Sequence, residues 1–167
     1  MAANTSVTPP IVIPIFVRDS QLAIAQMRQA EQEGADWLEL RCDTAWNPAA
    51  AGGLPEVLRA VLNARGSNGS PHLPVMITYR SQTEGGGFTG TDADLASALI
   101  HAARAGVEFL DVEFAAWARS ENLRAQLRPL LRSRVNPTGP QMILSAHDFT
   151  GRPADLRAGP GAHRRPA

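Results

Sequence analysis

Four polar side chains stand at regular intervals along the sequence, each at the end of a short apolar segment. They are Arg41, Arg80, Glu113 and His147, separated by 39, 33 and 34 residues. A guanidinium donates a fork of hydrogen bonds to a carboxylate or to vicinal hydroxyls. An imidazole exchanges protons near working pH, which makes His147 the natural general acid/base of the set. If the four side chains meet, they form a site that binds a small polar molecule and moves a proton.

Three further acidic residues lie close to these groups in the sequence. Glu39 can accept a hydrogen bond from a substrate hydroxyl, and Asp43 can hold an arginine in place. Glu84 precedes a run of three glycines, 85–87, and can reach over the site to orient an imidazole. The alternative is that all these groups are ordinary strand-end charges that bridge to loops.

Other chemistries have little support in the sequence. The histidines and the single cysteine do not have the spacing of a metal site, so no metal is expected. The chain has no lysine, which excludes a lysine nucleophile and a phosphate-loop lysine within it. Ser145 lies inside a predicted strand without the GxSxG elbow of a nucleophilic serine. Cys42 is expected to be a small core residue.

The apolar pattern predicts strands and helices that alternate along the chain. An amphipathic stripe from Leu54 to Leu62 predicts the second helix, and Thr91 caps the third. Strands are expected over 11–17, 35–42, 73–80, 107–113 and 141–147, and the first and fourth helices over 22–33 and 115–132, the latter disturbed at Pro129.

The spacing of the strand ends predicts a parallel α/β fold. Segments 34–40 and 106–112 repeat one pattern of glycine, acidic, aromatic and apolar residues. The intervals fit a (β/α)₈ TIM barrel, truncated here to about four βα units plus a fifth strand. A doubly wound sheet is the alternative, although the first βα turn has no glycine-rich fingerprint. In either fold, polar side chains at the carboxyl ends of the strands predict a site there.

Length and charge limit the classes of protein. The 167 residues allow one domain, and 16 basic residues balance 16 acidic ones. This balance argues against a nucleic-acid or membrane partner bound through charge. We expect a cytoplasmic protein without a disulfide, because it has a single cysteine. The predicted organisation is a tail over 1–9, the barrel portion over 10–150 and a disordered Arg/Gly/Pro-rich tail over 151–167.

Three segments, taken in order, resemble one enzyme family, type I 3-dehydroquinate dehydratase, the Schiff-base dehydratase of the shikimate pathway. The segments are Glu39-Leu40-Arg41-Cys42-Asp43, Thr78-Tyr79-Arg80-Ser81-Gln82-Thr83-Glu84-Gly85-Gly86 and Ser145-Ala146-His147-Asp148-Phe149. The resemblance implies a (β/α)₈ barrel, usually a homodimer, that needs no metal or organic cofactor. It implies conversion of the small molecule 3-dehydroquinate to 3-dehydroshikimate and water through an imine formed on a lysine.

The resemblance also implies roles for individual residues. His147 matches the acid/base histidine and Glu84 the carboxylate that pairs with it. Groups that bind the substrate hydroxyls are matched by Glu39, Arg41 and Arg80. Asp43 matches the acid that supports Arg41.

The family's imine-forming lysine lies on a sixth strand, which this sequence does not contain. The resemblance ends near Leu156, so we expect a truncated or frameshifted member with little or no activity alone. The alternative is a non-catalytic half-barrel that binds a ligand or complements a second chain. The unpaired edges of strands one and five are expected to favour such pairing.

Overall fold

Five parallel strands form one sheet in the order in which they occur along the chain. The strands are β1 Val12–Phe16, β2 Trp37–Arg41, β3 Val75–Thr78, β4 Phe109–Glu113 and β5 Gln141–Ser145. Each strand pairs in parallel with the next. A doubly wound sheet needs a point where the strand order reverses, and this sheet has none. The uninterrupted order is that of a parallel barrel, which confirms the predicted fold class over these strands.

The computed structural model describes residues 9–46, 56–66, 72–149 and 151. The predicted tails over 1–9 and 151–167 lie outside this part of the chain, apart from residues 9 and 151. Leu54, the first residue of the predicted second helix, also lies outside it. No helix in the described residues is both long enough and apolar enough to span a membrane.

In the described residues, five helices connect the strands, together with 3₁₀ turns at Cys42–Ala45 and Gln82–Glu84. They are α1 Ser20–Gln32, α2 Glu56–Asn63, α3 Asp92–Arg104, α4 Phe114–Arg119 and α5 Glu121–Leu127. At the start of α1, the Asp19 side chain accepts a hydrogen bond from the Leu22 amide. Thr91 and Asp94 form a reciprocal capping box at the start of α3, as the cap at Thr91 predicted.

The prediction of one helix over 115–132 is wrong, because the segment divides at Ser120. The backbone of Ser120 is extended, with φ −102° and ψ 102°, so the helix cannot continue through it. Its hydroxyl accepts a hydrogen bond from the Leu123 amide and caps α5. A serine within a helical pattern is ambiguous, since the same side chain can begin a new helix. The disturbance therefore falls at Ser120, and α5 ends two residues before Pro129.

The outer face of the sheet carries the core. Leu38, Leu40, Ile77 and Leu110 are fully buried between the sheet and the helices, as the alternation along the strands predicts. This buried layer fixes which face of each strand points towards the helices. The alternate side chains must therefore point to the opposite, inward face.

We expect Leu110→Ala to lower the free energy of unfolding by about 2–5 kcal/mol, since it removes buried methyl groups and leaves a cavity. Leu22→Ala is the matched control, because Leu22 is 57% exposed. Urea unfolding followed by circular dichroism measures both changes. Equal losses in the two variants would contradict the position of the core.

A charged contact lies at the amino-terminal ends of β3 and β4. Arg65 Nη2 lies 2.8 and 2.7 Å from the two carboxylate oxygens of Glu108. One of these oxygens also accepts a hydrogen bond of 2.8 Å from the Val75 amide. The contact ties β3 to β4 at the end of the sheet away from the polar strand ends.

The two outer strands expose apolar side chains. Within the described residues, β1 is bonded only to β2, and β5 only to β4. Ile13, Phe16 and Leu144 are 37%, 45% and 40% exposed. Strands of parallel sheets are normally buried and rich in apolar residues. The apolar side chains of β1 and β5 therefore resemble those of internal strands, although both strands lie at an edge of the described sheet.

Candidate active site

Along the strands, the inward face changes from apolar to polar towards the carboxyl end. On β4 the order is Phe109, Asp111, Glu113, and on β2 it is Trp37, Glu39, Arg41. The rings of Trp37 and Phe109 stack with centroids 4.2 Å apart and close the apolar end. The polar residues beyond them lie at the end of the sheet where parallel α/β proteins carry their sites.

Glu84 and His147 form a close pair, although 63 residues separate them. One carboxylate oxygen, Oε2, lies 3.0 Å from His147 Nδ1 and accepts a second bond of 3.0 Å from the His147 amide. The Glu84 side chain is 11% exposed and that of His147 is 38% exposed. An ionised carboxylate accepts only, so it favours a proton on Nδ1 and leaves Nε2 as the free base. The pair is therefore able to exchange a proton through Nε2.

The glycine run gives Glu84 its position. Gly85 has φ +80°, a conformation that other residues rarely adopt. A Cβ atom on Gly86 would lie 2.1 Å from the Arg80 carbonyl oxygen, so only glycine fits there. The Gly86 amide donates to the Ser81 carbonyl at 2.7 Å and closes the turn that carries Glu84.

Arg80 lies at the centre of the polar end and is 6% exposed. Its Nη2 donates to Asp111 at 2.6 Å, and its Nη1 donates to Ser145 Oγ at 2.9 Å. Nη1 also lies 3.4 Å from both Glu84 and Glu113. The guanidinium thus joins side chains from β4, β5 and the 3₁₀ turn that follows β3.

Arg41 and Asp43 form a second ion pair at the end of β2. Arg41 Nε and Nη2 lie 2.9 and 3.1 Å from the two Asp43 oxygens, and Phe16 lies under the guanidinium at 5.2 Å. The Asp43 hydrogen bond raises the pKa of Arg41, which keeps it charged. The third guanidinium nitrogen, Nη1, carries two further N–H donors. The Arg41 side chain is 18% exposed, so part of it is open to a bound molecule.

Asp43 is held as an anion in a buried position. Burial alone raises the pKa of its carboxyl, but the hydrogen bonds from Arg41 and the Gly87 amide outweigh burial. The net result is a pKa below the ordinary aspartate value. The Gly87 bond, 2.9 Å long, also ties the glycine loop to the end of β2.

Asp43→Asn is expected to cost stability in a pH-dependent way. A carboxyl whose pKa is lowered by folding contributes stability above its unfolded value of about 3.9, and loses it as pH falls through the folded value. The difference in unfolding free energy between native chain and variant is therefore largest above about pH 5 and shrinks below about pH 4. Urea unfolding across this range measures the difference. A constant difference from pH 6 to pH 3 would contradict the pairing.

All seven side chains singled out in the sequence lie at or near the carboxyl end of the sheet. The structure brings His147, Glu84 and Arg80 into direct contact, and pairs Arg41 with Asp43. Glu39 is half-buried on the inward face of β2, where its charge acts on Arg41 and Asp111.

Asp111 and Ser145 were missed as members of the site. Each alternates with apolar residues along its strand, and this alternation is the signal that could have found them. It could not show that both contact Arg80. Burial raises the pKa of Asp111 above its ordinary value, and the Glu39 carboxylate acts in the same direction. Arg80 and Ser145 partly oppose this rise.

No group of three histidine, cysteine, aspartate or glutamate side chains in the described residues is arranged to hold a metal ion. Fold and site together define a class of protein: a parallel α/β barrel portion with a glutamate–histidine pair and two arginines at the carboxyl ends of its strands.

Residues 11–158 match the sequence profile of a family described as type I 3-dehydroquinase. The chain belongs to this family. It is 31% identical over 131 residues to a 3-dehydroquinate dehydratase of Methanosarcina barkeri, which covers 76% of this chain and 48% of that protein. The corresponding enzyme of Haloquadratum walsbyi is 32% identical over 125 residues, covering 74% and 46%.

The crystal structure of 3-dehydroquinate dehydratase from Geobacillus kaustophilus shares the fold. The TM-score is 0.65 at 22% identity, covering 88% of this chain and 53% of that one. This confirms the TIM-barrel fold family. The chain spans about half the length of the curated relatives that it matches.

Proposed function

We propose that this chain carries the acid/base and substrate-binding groups of a 3-dehydroquinate dehydratase, a lyase of the shikimate pathway in the cytoplasm. The contact of 3.0 Å between Glu84 and His147 Nδ1 is the observation that carries the proposal. It supplies a general base with a fixed tautomer at the expected end of the sheet. Family membership supplies the reaction, the loss of water from 3-dehydroquinate to give 3-dehydroshikimate.

In the proposed reaction, His147 Nε2 takes a proton from the carbon next to the substrate ketone. The same nitrogen then assists the departure of the hydroxyl group. Glu84 holds the ring and stabilises the imidazolium that forms. Loss of hydroxide and proton gives one water and one carbon–carbon double bond, so the step balances without an oxidant or reductant.

Substrate binding in this proposal depends mainly on β2. The exposed part of Arg41 donates to substrate hydroxyls, Asp43 fixes Arg41, and Glu39 accepts from a hydroxyl. The resemblance gives Arg80 a hydroxyl-binding role as well. Its burial and its four acceptors inside the protein support a further role in holding the site together.

No side chain in this sequence can form the imine of the family's reaction, because the chain contains no lysine. Without an imine, the proton is removed next to an ordinary ketone, and most of the gain from covalent catalysis is lost. We therefore propose that the 167-residue chain binds 3-dehydroquinate weakly and turns it over slowly or not at all.

Isothermal titration with 3-dehydroquinate tests binding, and we expect Arg41→Met to weaken it about tenfold, which is the value of one charged hydrogen bond. Arg119→Met is the control, since Arg119 forms an exposed ion pair with Asp92. Ultraviolet absorbance of the conjugated product measures turnover. Equal binding by both variants would contradict the role of Arg41. Turnover at the rate of a full-length relative would contradict the need for an imine.

A second candidate function, complementation by another polypeptide, is favoured by the exposed edges of β1 and β5. We propose that these edges pair with further strands, from a second copy or from a barrel portion that carries the lysine. Mixing the chain with residues of a relative that supply strands six to eight is expected to restore turnover. Borohydride is then expected to trap the substrate on the added portion.

Ile13→Lys is expected to reduce this complementation, because it places a charge on the apolar edge of β1. Leu22→Lys is the matched control on an exposed helix position. Sedimentation velocity measures the association of the two portions and of the chain with itself. If both variants associate as the native chain does, the β1 edge is not the contact.

A further inference from the structure

The guanidinium of Arg80 makes two short contacts and two long ones. The short ones reach Asp111 at 2.6 Å and Ser145 Oγ at 2.9 Å. The long ones, 3.4 Å each, reach Glu84 and Glu113. Glu84 also contacts His147, at 3.0 Å. Arg80 and His147 therefore compete for the same oxygen, Glu84 Oε2, and His147 lies closer to it.

Simple electrostatics favours the opposite outcome. A guanidinium and a carboxylate in a buried site attract each other strongly, and an Arg–Glu contact normally closes to 2.7–2.9 Å. Arg80 is 6% exposed and Glu84 is 9% exposed, so water does little to weaken the attraction. Something else must keep Arg80 from closing on Glu84.

Asp111 and Ser145 are placed where they can hold Arg80 away from Glu84. Asp111 is 5% exposed and takes Nη2, the nitrogen that does not face Glu84. Ser145 takes Nη1 itself, and its hydroxyl also acts on the Asp111 carboxyl. Glu113 is less free to attract Arg80, because its Oε1 accepts the Ser81 amide at 2.8 Å.

We propose that Asp111 and Ser145 are positioning residues that hold Arg80 back from close contact with Glu84, and so leave the Glu84 carboxylate to His147. The charged groups that act on this arrangement come from four elements. They are Glu84 on the 3₁₀ turn, Asp111 and Glu113 on β4, Glu39 and Arg41 on β2, and His147 after β5.

The proposal predicts a spectroscopic signature on His147. With Glu84 on Nδ1, the neutral ring carries its proton on Nδ1. If Arg80 closes on Glu84, this bond weakens and the proton moves to Nε2. The ¹⁵N shifts of the neutral ring in the labelled 167-residue chain report the ratio of the two tautomers.

We expect Asp111→Asn and Ser145→Ala each to lower the share of the Nδ1-protonated tautomer, by about fivefold in the ratio. Asp111→Asn keeps the size of the side chain and removes its charge. Ser145→Ala removes the hydroxyl and leaves every charge in place, so it separates the position of Arg80 from through-space electrostatics. Ser145→Thr restores a hydroxyl and is expected to restore the native ratio.

Glu108→Gln is the structural control, since it removes a carboxylate from the ion pair with Arg65, just before the opposite end of β4. It is expected to lower stability without changing the tautomers. The His147 signals are assigned by their loss in His147→Gln.

An unchanged ratio in Asp111→Asn and Ser145→Ala would overturn the proposal. A change in Asp111→Asn alone would overturn the joint role of the two residues. An equal change in Glu108→Gln would show that the variants act only by lowering the stability of the fold. The purpose of this arrangement rests on the proposed function, but the ¹⁵N measurement uses no substrate. A chain without dehydratase activity can therefore still pass or fail this test.

Discussion

A single buried guanidinium holds the polar end of this sheet together. Removing a charge from water costs several kcal/mol, and the cost is recovered only through close partners. Arg80 has such partners on β4, on β5 and on the turn that carries Glu84. Without it, three buried carboxylates would face one another. The positions of Glu84, Asp111 and Glu113 therefore depend on this one cation.

The rigidity of the surrounding fold makes that arrangement possible. Leucine and isoleucine side chains on the outer face fix the pleat of each strand, so that alternate residues must point inward. The glycine loop then approaches the Arg80 carbonyl more closely than any residue with a Cβ atom could. Packing on one face and backbone contact on the other thus place Glu84 within reach of a histidine 63 residues away.

The sequence predicted much of this fold for clear physical reasons. Alternation along the strands separates the core face from the inward face, and the capping pattern at Thr91 identified the start of α3. The break at Ser120 was missed, since a serine is compatible with both a helix interior and a cap. The contact network of Arg80 was also missed. Side-chain direction can be read from strand parity, but a choice among four acceptors depends on distances that only the structure gives.

The stacked rings of Trp37 and Phe109 lie directly below Glu39 and Asp111 on the inward face. Asp111 is 5% exposed above this apolar layer, so little solvent reaches its carboxylate. Salt therefore screens the contact between Asp111 and Arg80 less than it screens the exposed pair of Arg119 and Asp92. The ionic strength of the medium will act mainly on the surface of this protein and much less on the buried ion pair inside it.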